Sequence, residues 1–573
     1  MDYFVHVANI CLIWVMLGVS LNLLIGYSGL MSLGHAAFYG IGAYGSALMA
    51  VHLGANFFVG MLVGILAAAV IGILTAIPAL RVKDEYLILL TLAVQMVVYG
   101  VIMANPTLTG GWSGISVPRA DIFGLRLVGP TSYLPLILVF CGLCIALSWR
   151  VSHSPFGRVL KAMRDDEMAI RSLGKNLLYF KVMVFVLAGT VAAVAGSLFA
   201  HYMPRMQPTS FSVYESIAIA VIVVVGGRAN IWGSVAAAFA LTIIPEALTW
   251  LPGAGERLHA IRMVLYGAML IVFIRFRPQG MISEYMKFRA RAPTPVVLSP
   301  EGSEDILRGR PELHSQETQH NPGAVLEVEG LSKDFDGIRA VDNASFALPE
   351  GRVTALIGPN GAGKTTVFNL VTDFLKADGG RVSFRGRDIT KSATHKITHL
   401  GVARSFQEVR VFPGMLVLDN VLVALPRQSG ESLGPLFFRP WKVAKEEKEN
   451  YRRAMAYLNF VGLAEKSQQM ASDIAFAEQK LLALARLLAT GADVLLLDEV
   501  VSGIDPASID RQLGLLRRLA GWGKTICIIE HNLDVVRGVA DTAHFMAEGR
   551  VIASGTPAEL MADRKLAEMY FGT

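Results

Sequence analysis

The stretch Gly358-Pro-Asn-Gly-Ala-Gly-Lys-Thr365 has the spacing Gly-x4-Gly-Lys-[Ser/Thr], and no other part of the chain restricts the possible folds as much. A loop of this kind needs a strand before it and a helix after it. Val353 to Ile357 is a continuous apolar run that reads as a buried strand. The glycines then let successive backbone N–H groups turn towards phosphate oxygens at the start of the following helix. Lys364 is spaced to reach the β and γ phosphates, and the Thr365 hydroxyl is left for Mg2+. The expected cradle is therefore Gly358, Pro359, Asn360, Gly361, Ala362, Gly363, Lys364, Thr365 and Thr366, and the expected ligand is a nucleoside triphosphate. The competing reading is a glycine-rich turn that matches by accident, and the strand in front of the loop counts against it.

The rest of the chain is too long and too apolar for one soluble core. Of its 573 residues only 17% are charged, and its mean hydropathy is +0.48, so part of it belongs in lipid. Lys and Arg outnumber Asp and Glu by 52 to 46. They cluster beside apolar runs, which points to a cytoplasmic membrane face in contact with lipid and away from nucleic acid as a partner. Cys11, Cys141, Cys144 and Cys527 are too few and too scattered for a disulfide framework. Cys141-x-x-Cys144 lies in an apolar run without further ligands, which argues against zinc or redox chemistry there. No Lys or Arg precedes the first apolar run, so a retained span is expected rather than a cleaved signal peptide.

Phe4 to Ile25, Leu30 to Val51, Phe57 to Leu80, Tyr86 to Ala104, Tyr133 to Trp149, Val182 to Ala200 and Ile231 to Leu251 approach or reach the roughly 20 residues that crossing a bilayer needs. Val213 to Gly227 and Leu258 to Ile274 are shorter or interrupted. Counting about nine spans, with the N-terminus outside, puts Arg81, Lys83, Arg150 to Lys175, Arg228 and everything after Arg275 inside, as the positive-inside rule requires. Asn105 to Ser132 becomes a long outer loop. Gly34, Gly40, Gly42 and Gly45 mark Leu30 to Val51 as a close-packing helix. His35, Glu215 and Glu246 are either pathway residues or interface and capping residues. In the inner loop Ser154 to Asn176, Ser154 can cap a helix, Pro155 suits its first turn and Gly174 suits its end. Such a helix either docks onto something or carries solvated positive charge.

Behind the phosphate loop, further residues fall into order. Phe335 precedes it, placed either to stack on a base or to close a strand end. Gln407 follows, in Arg404-Ser-Phe-Gln407. Val494 to Leu497 is an apolar strand ending in Asp498-Glu499, which sets one carboxylate on a metal shell and the next towards the γ phosphate. Asp505 comes next in Ser502-Gly-Ile-Asp505, and His531 stands after the strand Thr525 to Ile529. Residues 290 to 322, rich in Pro, Ser, Glu and Gln, read as a flexible connection that spans about 30 Å root-mean-square.

Gly26-Tyr-Ser-Gly-Leu-Met-Ser-Leu-Gly-His-Ala-Ala-Phe-Tyr-Gly-Ile-Gly-Ala-Tyr44, Thr109-Gly-Gly-Trp-Ser-Gly-Ile115 and Ser154-Pro-Phe-Gly-Arg-Val-Leu-Lys-Ala-Met-Arg-Asp166 closely resemble the M-type permease of branched-chain amino-acid ABC importers. Leu331-Ser-Lys-Asp-Phe335, Gly401-Val-Ala-Arg-Ser-Phe-Gln407 and Ile529-Glu-His-Asn-Leu-Asp-Val-Val536 resemble the G-type ATPase of the same importers. The resemblance implies a polytopic all-α membrane domain (1–289), a linker (290–322) and an α/β P-loop ABC ATPase domain (323–573), in a multi-pass protein of the bacterial inner membrane. It implies that the inner loop is the segment that meets the ATPase. It also implies Mg2+ held by Thr365, Gln407 and Asp498, hydrolysis served by Glu499, His531 and Gln407, and ATP-driven uptake of branched-chain or related small amino acids. The implied partners are a second permease, a second ATPase and an external solute-binding protein. The rivals are an exporter or flippase half-transporter, which the short inner loops oppose, and a membrane-anchored regulatory ATPase, which the complete permease half opposes.

The chain departs from the family pattern at two places. The signature loop reads Ile474-Ala-Phe-Ala-Glu-Gln-Lys480, with Ala475 where the family has a γ-phosphate-binding Ser and Ala477 where it has Gly. Val500 replaces the proline usual after the glutamate.

Overall fold

The computed structural model describes residues 2–79, 84–122, 124–248, 258–284, 307 and 324–571. They divide between two units, one comprising Met1–Arg164 and Leu177–Arg291 and the other Asp165–Asn176 and Ala292–Thr573. Arg81, Lys83 and, apart from residue 307, the linker read at 290–322 lie outside the described residues.

In the first unit the long apolar runs form helices, because helical hydrogen bonding satisfies the backbone without water. Among the described residues, six are long and apolar enough to cross a membrane: Asp2–Tyr27, His35–Leu53, Phe57–Ala79, Glu85–Ala104, Pro130–Ser152 and Leu177–Tyr202. Val213–Gly226, Ile231–Ala247 and Val264–Phe276 are shorter apolar helices. Burial ranks them. The most apolar window of Asp2–Tyr27 is 78% buried and that of Glu85–Ala104 only 22%, so the first helix is central and the other presents Leu89, Val97 and Val101 outwards. Small residues set the closest helix contacts. A Cβ at Gly42 would strike the Ala193 backbone, and one at Gly196 the Tyr39 carbonyl, which brings His35–Leu53 hard against Leu177–Tyr202. His35 is fully buried with its Nε2 2.7 Å from Ser20 Oγ, and Glu246 Oε1 accepts the Tyr3 hydroxyl at 2.6 Å.

The loop expected to form one helix from Ser154 forms two, Pro155–Asp165 and Glu167–Ser172. Asp166 breaks them apart at φ −158° and ψ 106°, because its carboxylate accepts the Ala169 N–H at 2.9 Å as the cap of the second helix. Gly174 ends the segment at φ +82°.

Among its described residues the second unit holds two sheets. Ile338–Pro349, Ala324–Phe335, Gly379–Phe384 and Arg387–Asp388 make an antiparallel four-stranded sheet in that order. The other sheet has six strands, ordered Arg550–Gly555, Thr542–Ala547, Val353–Ile357, Thr525–Ile529, Val494–Asp498 and Val402–Arg404. Every pair from Thr542–Ala547 to Val402–Arg404 is parallel. Val353–Ile357, Val494–Asp498 and Thr525–Ile529 are buried at every position, which is why they read as unbroken apolar runs rather than alternating ones.

Candidate nucleotide site

Parallel neighbours end at the same sheet edge, so the loops after them gather there. That edge collects Gly358 to Lys364, Ser405 to Gln407, Asp498-Glu499 and Glu530-His531, four stretches that are far apart in the chain.

Lys364 opens the helix Lys364–Val371, and two glycines of the loop have no room for a side chain. Gly358 has φ +149° and a Cβ there would meet the Met546 carbonyl; Gly363 has φ +95° and faces the Ala340 carbonyl. The buried Lys364 folds back over the loop, with Nζ donating to the Gly358 and Pro359 carbonyls at 2.8 Å each. Burial pushes its pKa down, and the charges of Asp498 and Glu499 oppose that shift.

Glu499 is the centre of a polar cluster. Gln407 Nε2 donates to its Oε1 at 2.9 Å and His531 Nε2 lies 3.4 Å from the same oxygen. It takes φ +50°, uncommon for a glutamate, and its N–H donates to the Ile529 carbonyl at 2.9 Å. Asp498 is buried with the Thr365 hydroxyl beside it, and neither carboxylate oxygen has a hydrogen bond of ordinary geometry among the described residues. Desolvation raises the Asp498 pKa and the Arg404 guanidinium, 3.6 Å away, opposes the rise. Phe335 stands apart from this cluster, exposed at the end of its strand on the antiparallel sheet, with the Lys333 ammonium 5.6 Å from its ring centre.

Sequence reasoning assigned no role to Arg404, Ser405, Lys480 or Glu530. Arg404 is buried beside the rings of Phe368, Phe374 and Phe406, and burial lowers its pKa to about 10 against the opposing charge of Asp498. Ser405 Oγ accepts the Asp498 N–H at 2.9 Å. A charge at the end of the short strand Val402–Arg404 was the available signal, but only strand order shows which carboxylate it meets.

Two family models match the chain. One, described as the permease component of the branched-chain amino acid transport system, covers residues 3–274, and one described as ABC transporter covers residues 341–502. The probable branched-chain amino acid transport ATP-binding protein LivG of Archaeoglobus fulgidus is 36% identical over 248 residues, 43% of this chain and 95% of that protein. The high-affinity LivG of Salmonella typhimurium is 36% identical over 249 residues, 43% of this chain and 98% of that protein. The corresponding BraF of Pseudomonas aeruginosa is 34% identical, with the same coverage. The chain belongs to the branched-chain amino acid ABC transporter family. It is a membrane protein that joins a permease region to a soluble ATP-hydrolysing domain, binds adenine nucleotide, and works with other transporter components.

In this ABC transporter chain, Asp165–Asn176 is part of the second unit. Asp165 Oδ2 accepts the Gly414 N–H at 2.9 Å, and Asp166 pairs with Arg410 at 2.8 Å. Lys175, 2% exposed at its side chain, donates to Glu431 at 2.5 Å and to the Leu425 carbonyl at 2.8 Å. Ala169, Ser172 and Leu173 line the same cleft as Gln407 and Glu499. The segment therefore borders the loop that bonds the glutamate.

At the altered signature, Ala475 caps the helix Phe476–Ala489 with extended backbone, φ −61° and ψ 154°. Its N–H donates to Glu478 Oε2 at 3.1 Å, and Lys466 pairs with Glu478 at 2.6 Å. This is half of a capping box. The missing half is the hydroxyl that would accept the Glu478 N–H.

Proposed function

We propose that this chain is half of an importer that takes up branched-chain or related small amino acids at the expense of ATP, by alternating access. The observation that carries the hydrolytic reading is the convergence of Gln407 and His531 on one oxygen of Glu499, in the same unit as the phosphate loop. In this reading Lys364 exchanges its loop carbonyls for the β and γ phosphates, Gly358 to Thr366 wrap the phosphates with N–H groups, and Phe335 stacks on the base. Glu499 polarises the attacking water, while His531 and Gln407 contact the γ phosphate and orient the water. The unsatisfied oxygens of Asp498, with the Thr365 hydroxyl beside them, fit Mg2+, and Gln407 completes the protein ligands. Mg2+ bound there would neutralise charge on the phosphates.

The same reading assigns residues 1–289 to the permease with about nine spans and the N-terminus outside, 290–322 to a tether, and 323–573 to a cytoplasmic ATPase at the bacterial inner membrane. A second permease, a second ATPase and an external solute-binding protein complete the transporter. In the assembled transporter, Glu499→Gln should retain ATP binding and stop turnover, because it keeps the shape and removes the carboxylate. Lys364→Ala should weaken binding itself, by losing the charge that faces the phosphates. Parental hydrolysis by Glu499→Gln, where activity depends on this chain's own site, would overturn the assignment.

A further inference from the structure

The turn Glu499 to Ser502 is gripped from two sides by opposite charges. Lys480, on the helix Phe476–Ala489, is only 7% exposed, and its Nζ donates to the carbonyls of Glu499, at 3.0 Å, and of Ser502. Glu530, directly after the strand Thr525–Ile529, is 4% exposed, and its Oε1 accepts the Val501 N–H at 3.0 Å. The Val500 N–H faces the same carboxylate and helps hold its charge. A proline at 500 would have no such donor. The ammonium thus satisfies the carbonyls of the turn and the carboxylate satisfies its amides. Burying two charges is costly unless each is well paired, and here both are directed to the backbone of a single turn. That turn begins with the left-handed φ of Glu499, a conformation that surrounding contacts must enforce.

We propose that Lys480 and Glu530 are positioning residues for ATP hydrolysis, a two-sided clamp that holds the Glu499 turn so that its carboxylate meets Gln407 and His531. The proposal rests on the assignment of Glu499 to hydrolysis. Lys480 belongs to the helix that starts at Ala475, so the clamp also ties the signature loop to the glutamate of the same chain. A shift of that helix pulls on the Glu499 carbonyl directly.

Charge around the clamp gives it a pH signature. Glu530 faces Lys480 from the helix, Glu499 from the turn, His531 next in sequence, and Tyr570, whose hydroxyl donates to the His531 carbonyl at 2.7 Å. Burial raises the Glu530 pKa to about 7, with the Val501 N–H and Lys480 opposing the rise. A carboxyl with a raised pKa loses its charge as pH falls through that value, so the clamp weakens on the acid side.

The test measures steady-state ATPase of the assembled transporter. Lys480→Met and Glu530→Gln should each lower kcat at least about tenfold, equivalent to about 1.4 kcal/mol, with KM for ATP within about twofold of parental. Lys480→Arg should recover much of the loss, and the double variant should be little worse than the poorer single, because both side chains hold one turn. The parent should show an acid limb in its kcat profile near pH 7, and Glu530→Gln should flatten it. Parental kcat in both single variants, equal impairment in Lys480→Arg and Lys480→Met, or an unaltered acid limb in Glu530→Gln overturns the clamp. Should Lys480→Met fail to assemble, the arginine variant and the pH profile still decide. Glu499→Gln serves as the control: if it hydrolyses ATP normally, the assignment of hydrolysis fails, and if it alone is inactive, only the clamp fails.

Discussion

Ala475→Ser combined with Ala477→Gly separates what the altered signature does for stability from what it does for hydrolysis. Residue 475 already has the extended backbone of a helix cap, and Glu478 already accepts its N–H at 3.1 Å. A serine hydroxyl would accept the Glu478 N–H and complete the box, a gain of about 1 kcal/mol. Glycine at 477, inside the first turn of the helix, costs up to about 1 kcal/mol relative to alanine. The two stability terms nearly cancel, so the melting temperature should hardly move. Activity should move, because a hydrogen bond to a charged phosphate oxygen is worth about 1.5 to 3 kcal/mol, or about ten- to a hundredfold in the step it assists. In the proposed two-ATPase arrangement this signature would serve the nucleotide on the partner's phosphate loop, while Lys364 and Glu499 would use the partner's signature. A heterodimer therefore keeps one site fully furnished, whereas a homodimer would impair both. The decisive assay is steady-state ATPase together with ATP binding of the purified assembly carrying Glu499→Gln, which in a heterodimer silences this chain's own site and leaves the partner's site to report, and in a homodimer leaves ATP binding to report. Higher turnover or tighter ATP binding is expected on reversion. No change in either means that the loop does not act as a signature.

Two further predictions concern topology and the segment Asp165–Asn176. With all four native cysteines buried, Trp112→Cys should react with an impermeant thiol reagent in intact cells and Met168→Cys should not, since the side chains of both residues are exposed but the proposed topology puts them on opposite sides of the membrane. Labelling of Met168→Cys would sink the topology. Lys175→Met leaves Glu431, itself only 13% exposed, without its buried cation, a loss of about 3 kcal/mol. Hydrogen exchange across 165–176 should then quicken by up to about a hundredfold, and unchanged exchange would mean the pair does not anchor the segment.

Local chemistry was legible in the sequence. The phosphate loop could be read because a strand, a turn of glycines and a helix start are consecutive, so spacing alone carries the geometry from Gly358 to Thr366. Apolar runs of bilayer length marked the membrane half for the same reason: each helix satisfies its own backbone. Capping was read only in part. Ser154, Pro155 and Gly174 marked the ends of the inner-loop structure, but Asp166 splits it by capping a second helix and pairing with Arg410, a residue far along the chain.

Tertiary structure decided everything that depends on strand order. Arg404 meets Asp498 because Val402–Arg404 lies next to Val494–Asp498, and Glu530 reaches the Glu499 turn because Thr525–Ile529 lies on the other side of that strand. No spacing in the sequence encodes those neighbours, since parallel strands are joined by crossovers of variable length. Nor could sequence say what Asp165–Asn176 packs against, because Arg410, Gly414, Leu425 and Glu431 lie far along the chain and no spacing links them to it. The buried Lys175 and the acceptors it finds at Glu431 and Leu425 decide it, because a desolvated ammonium is stable only where oxygens are already fixed to receive it.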